Sequence, residues 1–192
     1  MKYEAKKILD FLHVTENLKK LIRHSWLSDG RQESVAEHTW RMSIMFLLLE
    51  PHLGIKVDAL KTLEMIIIHD IIEALVGDVP AFEAFDLDRK NQKIKMENEA
   101  INEIRRTLAN ETGEKFYQLW HEFEEKSTYE AKVANAIDKL EAQIQHNEAD
   151  ISTWIDIEKE MLYMMGKHVE FNEFLTVFKD AIVKEGEQKL VS

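Results

Sequence analysis

The scarcity of turn-forming residues is the feature that most constrains the fold of this chain. Its 192 residues include only 6 Gly and 2 Pro, too few for a sandwich or barrel of many short strands joined by turns. Apolar residues recur at helical spacing from Ile8 onward, and no segment sustains a period of two. The sequence therefore predicts an all-α fold whose core comes from the middle helices.

Capping residues and helix breakers indicate where the helices begin and end. Ser34 and Glu37 have capping-box spacing, which predicts a helix from Ser34 to Glu50, where Pro51 ends it. Asp58 is expected to cap a helix that fades before Gly77. Two short helices are expected before residue 23, followed by a loop over 24–33. A later helix is expected at 88–108, and another begins at a capping box over 127–130. The last two helices are expected at 154–165 and 172–184.

Composition excludes several classes of function. Asp and Glu number 36 against 25 Lys and Arg, a net charge of -11, so binding of a nucleic-acid polymer is not expected. The absence of Cys excludes disulfides and thiolate metal sites. The longest apolar run, Ile44 to Leu49, is far shorter than the ~20 residues of a membrane span. The N-terminus has no signal-peptide pattern, and a cytoplasmic location is expected.

The dipeptide His69-Asp70 is a candidate metal-binding pair. It stands among isoleucines, where a carboxylate is costly unless it is paired or bound to a cation. In a continuous helix Glu73 would share a face with the pair, which would place an acid–base group beside it. The alternative is a core histidine bonded to its neighbouring aspartate or to the backbone.

His38 and Asp138 are the next candidate ligands. His38 stands in the first turn of the Ser34 helix, and Asp138 lies among apolar residues of a later helix. Alternatively, His38 is a surface residue and Asp138 pairs with Lys139 or an arginine. Two histidines and two aspartates from three segments would suit a divalent ion and leave positions for water.

Three segments in this order resemble the HD-domain metal-dependent phosphohydrolases. They are Glu33–His38, His69–Asp78 and Asp138–Ala142. Within that superfamily the chain is most similar to the 5'-deoxynucleotidase branch, the YfbR-like and HDDC2-like proteins. The resemblance implies an HD-domain helical bundle forming a single domain over 1–192, with the motifs within about 8–149 and C-terminal helices at 150–192.

The resemblance also implies roles for individual residues. One divalent ion per protomer (Co, Mn, Zn, Ni, Fe or Mg) would be held by His38, His69, Asp70 and Asp138. Glu73 would handle protons or orient the attacking water, and Asp78 would lie near the sugar or the water network.

The segment Arg23-His24-Ser25-Trp26 is similar to the branch's Arg-x-Gly-Trp segment, with Ser25 in place of the usual Gly. Arg23 would then contact the phosphate and Trp26 would pack near the sugar. If residues 23–26 formed a helical turn, both side chains would share a face, and the indole could exclude a 2'-hydroxyl.

The expected function is hydrolysis of deoxyribonucleoside 5'-monophosphates by a homodimer. The alternatives are hydrolysis of another phosphoester, such as a cyclic nucleotide or a nucleoside triphosphate, and a non-catalytic nucleotide-binding scaffold. Among the other histidines, His52, His121, His146 and His168 are interpreted as surface residues. The methionines at 161, 164 and 165 are interpreted as core or interface packing.

Overall fold

Residues 1–78 and 87–191 are described by the computed structural model, with the backbone alone for 87–90. In this part of the chain helices predominate, which confirms the predicted all-α class and helical-bundle fold. The longer helices are α1 (Lys2–Thr15), α3 (Val35–Leu49), α4 (Ala59–Ile68), α6 (Leu87–Leu108), α7 (Glu111–Glu125), α8 (Tyr129–Glu148) and α11 (Glu173–Leu190). The shorter ones are α2 (Asn17–Lys20), α5 (Glu73–Val76), α9 (Asp156–Met161) and α10 (Gly166–Val169).

Most of the predicted caps are present. Ser34 and Glu37 form the full capping box of α3, and Asp58 caps α4 by accepting from the Lys61 backbone N–H at 3.0 Å. The capping box predicted at 127–130 is wrong by one residue: Thr128 is the N-cap of α8. Its Oγ1 accepts from Ala131 N at 3.2 Å.

The single helix predicted from Asp58 to Gly77 is wrong, because α4 ends at Ile68. Over the next residues the chain tightens into turns with i→i−3 hydrogen bonds, among them Ile71 N to the Ile68 carbonyl and Glu73 N to the Asp70 carbonyl. Tighter winding changes the angle between successive side chains. His69 and Asp70 are therefore aimed by a turn and not by a regular helix face.

Two further segments differ from the sequence prediction. The loop predicted over 24–33 contributes to a small antiparallel sheet of β1 (Ile22–Trp26) and β2 (Gln32–Ser34). Gly30 has a φ of +85° in the connecting turn, a conformation glycine adopts without strain. In the last third, Gly166 does not end a helix over 154–165; α9 ends at Met161 and Gly166 begins α10.

Helix α8 lies at the centre of the molecule. It packs against α3, α4, α7 and α11, and the side chains of Val133, Ala134, Ile137 and Leu140 are fully buried. The polar residue Asp138 stands on the same helix, and it is buried as well. The packing of α3 and α4 on α8 brings the three predicted motifs to one place. No helix of the described residues is long and apolar enough to cross a membrane.

Candidate metal centre and adjoining cavity

The structure brings the four predicted metal ligands together. His38 Nε2 lies 3.3 Å from Asp138 Oδ1 and 4.0 Å from Asp70 Oδ2. His69 Nε2 lies 2.9 Å from the same Asp70 oxygen. One ligand atom each from His38, His69 and Asp138 lies within 4.8 Å of the others. Two imidazole nitrogens and two carboxylates thus converge from the start of α3, the turn after α4 and the middle of α8.

The chemistry of this donor set fits a divalent cation. The Nε2 atoms of His38 and His69 are both buried and have no hydrogen-bond partner among the described residues. Such groups cost free energy unless something binds them. Imidazole nitrogen with carboxylate oxygen is a set that borderline divalent ions accept.

Hydrogen bonds on the far side of each ring determine which nitrogen faces the cluster. His69 Nδ1 donates to the Ile66 carbonyl at 2.7 Å, and His38 Nδ1 donates to the Glu141 carboxylate. Because both acceptors are oxygen atoms without a proton to give, each Nδ1 carries the hydrogen. In a neutral ring the Nε2 lone pair then points at the cluster, as a metal ligand requires.

Glu141 connects His38 to a buried network. Arg41 Nε donates to Glu141 Oε1 at 2.6 Å, and the same guanidinium reaches Gln145 and Glu148, each at 2.6 Å. Burial alone would raise the pKa of Glu141, but the charges of His38 and Arg41 hold it below its usual value. Glu141 belongs to a motif that the sequence analysis used, yet its role was missed, because its partner is 103 residues away.

A proton and a cation compete for the His38 Nε2 lone pair. Burial and the charge of Arg23 both lower the pKa of His38, but the carboxylates of Glu141 and Asp138 outweigh them and raise it to about 9. Metal binding at this nitrogen would therefore release a proton near neutral pH.

Arg23 lies beside the cluster on β1. Its Nη1 is 3.6 Å from Asp70 Oδ2, and its Nε is 3.3 Å from Glu33 Oε2. Glu33 is buried, and burial is the main cause that raises the pKa of its carboxyl to about 7. A guanidinium in this position presents a planar set of donors next to the candidate metal site.

Glu73 and Asp78 both interact electrostatically with Asp70. The Oε2 atom of Glu73 is buried and lacks a hydrogen-bond partner among the described residues. Burial, and then the charges of Asp70 and Asp78, raise the pKa of Glu73 to about 10. Burial also raises the pKa of Asp78. In this environment Glu73 retains a proton at neutral pH, so it is suited to transferring one.

A cavity of about 440 Å³ adjoins the cluster. Pockets for small molecules commonly measure roughly 300–1,000 Å³. Arg23, Asp78 and Asp138 line it together with Lys93 and Lys139. An acidic protein thus concentrates cationic groups around one concave site.

Trp26 is placed differently from the sequence expectation. Residues 23–26 form part of strand β1 and not a helical turn, so Arg23 and Trp26 do not share a helix face. The strand is irregular between Ile22 and Trp26, and the residues that line the cavity include Arg23, His24 and Ser25 but not Trp26. The indole meets the His24 ring edge-on, with centroids 4.8 Å apart.

The surface interpretation is wrong for two histidines. His146 and His168 are half-buried and line the cavity. His146 Nε2 lies 3.7 Å from Glu158 Oε1, and His168 Nδ1 is hydrogen-bonded to Asn135 Oδ1 at 3.0 Å. Both stand on helices whose neighbours cover them, which local sequence does not reveal.

Known proteins resemble this chain in sequence. Residues 15–176 match the HD domain family. The 5'-deoxynucleotidase HDDC2 of Dictyostelium discoideum is 35% identical over 144 residues, which cover 71% of this chain and 74% of that protein. The human protein of the same name is 31% identical over 147 residues, covering 75% of this chain and 69% of its own length.

Solved structures share the fold. A crystal structure described as a predicted metal-dependent phosphohydrolase from Magnetospirillum magnetotacticum superposes with a TM-score of 0.82 at 24% identity, covering 97% of this chain and 96% of that one. A conserved hypothetical protein from Pyrococcus furiosus gives a TM-score of 0.70 at 26% identity, covering 94% and 99%. The family match over most of the chain, together with these relatives, shows that the chain belongs to the HD domain family.

Proposed function

We propose that this protein is a metal-dependent phosphohydrolase that releases phosphate from deoxyribonucleoside 5'-monophosphates. One observation carries the proposal: two buried Nε2 atoms, without a hydrogen-bond partner in the described part of the chain, face two aspartates beside a cavity of about 440 Å³. The relatives named 5'-deoxynucleotidase supply the substrate class.

Each residue has a role in this reaction. His38, His69, Asp70 and Asp138 hold one divalent ion per protomer. Such an ion, when bound, polarises the phosphoryl group and lowers the pKa of a coordinated water. Arg23 binds phosphate oxygens through its planar donors. Glu73 handles protons or orients the attacking water, and Asp78 lies near the sugar or the water network.

The metal proposal is tested by elemental analysis of the wild type and of His69→Ala and Asp138→Ala. Each variant removes a ligand, so the metal content should fall in both. Loading the wild type with Co, Mn, Zn, Ni, Fe and Mg in turn identifies the ion that binds most tightly. Unchanged metal content in both variants contradicts the ligand assignment.

The activity is tested by phosphate release after chelation and reloading with each ion. The substrate panel contains deoxyribo- and ribonucleoside 5'-monophosphates, a cyclic nucleotide and a nucleoside triphosphate. Deoxyribonucleoside 5'-monophosphates should be hydrolysed fastest. Faster hydrolysis of another phosphoester favours that alternative, and binding without hydrolysis favours the non-catalytic scaffold.

Sugar selection by Trp26 is a separate part of the proposal. Because its ring packs on the edge of His24, which lines the cavity, an effect on substrate would pass through His24. Trp26→Ala should raise the relative activity on ribonucleotides and leave the metal content unchanged. If the ratio of ribonucleotide to deoxyribonucleotide hydrolysis is the same in Trp26→Ala and the wild type, Trp26 has no role in sugar selection.

A homodimer is also proposed, on the basis of an apolar face of α3 that the described residues leave exposed. Trp40, Ile44, Leu47 and Leu48 recur at helical spacing, and between 40% and 66% of each side chain is exposed. A second copy could cover this face. Leu47→Glu should convert a dimer to a monomer in light scattering, whereas a monomeric wild type would contradict the proposal.

Contacts between α11 and α8 support a single domain over 1–192.

A further inference from the structure

One wall of the cavity is a face of α8. Asp138, Ala142 and His146 recur at intervals of four residues and all line the cavity. Eight residues of helix span about 12 Å. The cavity therefore extends along α8 from the candidate metal centre to His146.

The opposite wall is the segment from α9 to α10. At its start Glu158 lies 3.7 Å from His146, and at its end His168 is hydrogen-bonded to Asn135. Since Asn135 precedes Asp138 on α8, the segment runs back along α8 in the opposite direction. Met161 and Met164 lie between these two anchor points, and both line the cavity.

These two methionines are not core residues. The side chain of Met164 is 43% exposed and that of Met161 is half-buried, whereas Met165 belongs to the core. All three methionines are expected from the sequence to pack in the core or at an interface, and the structure confirms a core position for Met165. Met165 also lines the cavity, but from the core, whereas Met161 and Met164 present more exposed thioether side chains to it. The remaining walls of the cavity carry many charged groups.

We infer that Met161 and Met164 form the wall that packs against the nucleobase of the substrate. This inference rests on the proposed function. Arg23 and Lys139 place the phosphate at the metal end, beside Asp138, and the sugar carries a hydroxyl group and a ring oxygen. The base is the flat part of a nucleotide with an apolar face, and thioether sulfur packs favourably against aromatic rings.

The test compares two substrates that differ only in the base. A deoxyribonucleoside 5'-monophosphate carries it, and 2-deoxyribose 5-phosphate does not. Kinetics are measured with the metal-loaded wild type, Met164→Ala and Met161→Ala. Met96→Ala, on α6, is the matched control, because Met96 is similarly exposed at 48% and does not line the cavity.

The expected result is a KM for the nucleotide that rises by about tenfold in each cavity variant, since lost apolar contacts in a pocket cost about this much. The KM for 2-deoxyribose 5-phosphate should stay within about twofold, and kcat should change little, because contacts far from the phosphate act equally on substrate and transition state. Met96→Ala should match the wild type on both substrates.

Two outcomes overturn the inference alone: equal KM changes on both substrates, or no change on either. Met164→Ala keeps the test decisive if Met161→Ala fails to fold, because Met164 is a surface residue. A metal-loaded wild type that releases phosphate from neither substrate overturns the proposed function itself.

Discussion

The two candidate histidine ligands differ in what holds their second ring nitrogen. His69 donates to the backbone carbonyl of Ile66, which a substitution does not remove. His38 depends on the Glu141 side chain, which is fully buried and shared with Arg41. His38 is therefore the ligand whose orientation one substitution can loosen.

Glu141→Gln should weaken metal binding by about 10- to 100-fold, as loss of an outer-shell partner typically does. The amide retains the volume but removes the charge that faces both His38 and Arg41. Affinity is measured by competition with a chromogenic chelator. Glu148→Gln is the control, since Glu148 binds Arg41 from an exposed position. Equal affinities in the two variants contradict the role of Glu141.

Glu73→Gln should retain the metal and lose about 10²–10⁴-fold in turnover, the usual contribution of an acid–base group. The carboxyl is partly buried beside the candidate ligands, and its raised pKa keeps a proton available at neutral pH. Turnover and metal content are measured on the same preparation. A rate near that of the wild type rules out proton transfer by Glu73.

Among the elements, the first turn of α3 matters most for the site because it carries His38. Ser34 Oγ accepts a hydrogen bond from the Glu37 backbone N–H, and the Glu37 carboxylate accepts one from the Ser34 backbone N–H at 2.8 Å. Arg31 Nη2 donates a hydrogen bond to Glu37 Oε1 at 2.8 Å on the exposed side of the cap. The cap therefore connects the β1–β2 hairpin to the helix that positions a ligand.

Ser34→Ala should lower the free energy of unfolding by about 1 kcal/mol, the typical cost of losing an N-cap. Urea denaturation measures the change. Ser43→Ala is the control on the same helix, because the Ser43 hydroxyl donates to the Thr39 carbonyl within α3. A smaller loss for Ser34→Ala than for Ser43→Ala would show that the cap contributes little.

At the scale of the whole molecule, His168 makes stability depend on pH. Burial, followed by the charges of Lys139 and Lys167, lowers its pKa to about 4 from 6.5. Between these two values the unfolded chain binds a proton that the folded chain does not. Stability present above pH 6.5 is therefore lost progressively as pH falls toward 4.

His168→Gln should flatten this dependence. The loss of stability between pH 7 and pH 4.5 should be smaller in the variant by about 1–2 kcal/mol, allowing for solvent screening of a half-exposed ring. Chemical denaturation at several pH values in that range gives the two slopes. If the free energy of unfolding falls equally as pH is lowered in the wild type and in His168→Gln, His168 is not the source of the pH dependence.

The helices and their caps could be predicted from the sequence because both depend on local interactions. Apolar spacing and the side chains of Ser34, Asp58 and Asn172 act within a few residues, and the structure has a helix beginning after each. The motif residues could be selected too, since a carboxylate among isoleucines is costly wherever it stands.

Only the tertiary structure decided how those residues are aimed and what surrounds them. Pairing with β2 makes 22–26 a strand, and the turn after Ile68 sets the directions of His69 and Asp70. The Nδ1 partner of His38 lies on another helix, and Met161 lines the cavity because the segment from α9 to α10 folds back along α8. Such contacts join residues far apart in the chain, and no local pattern encodes them.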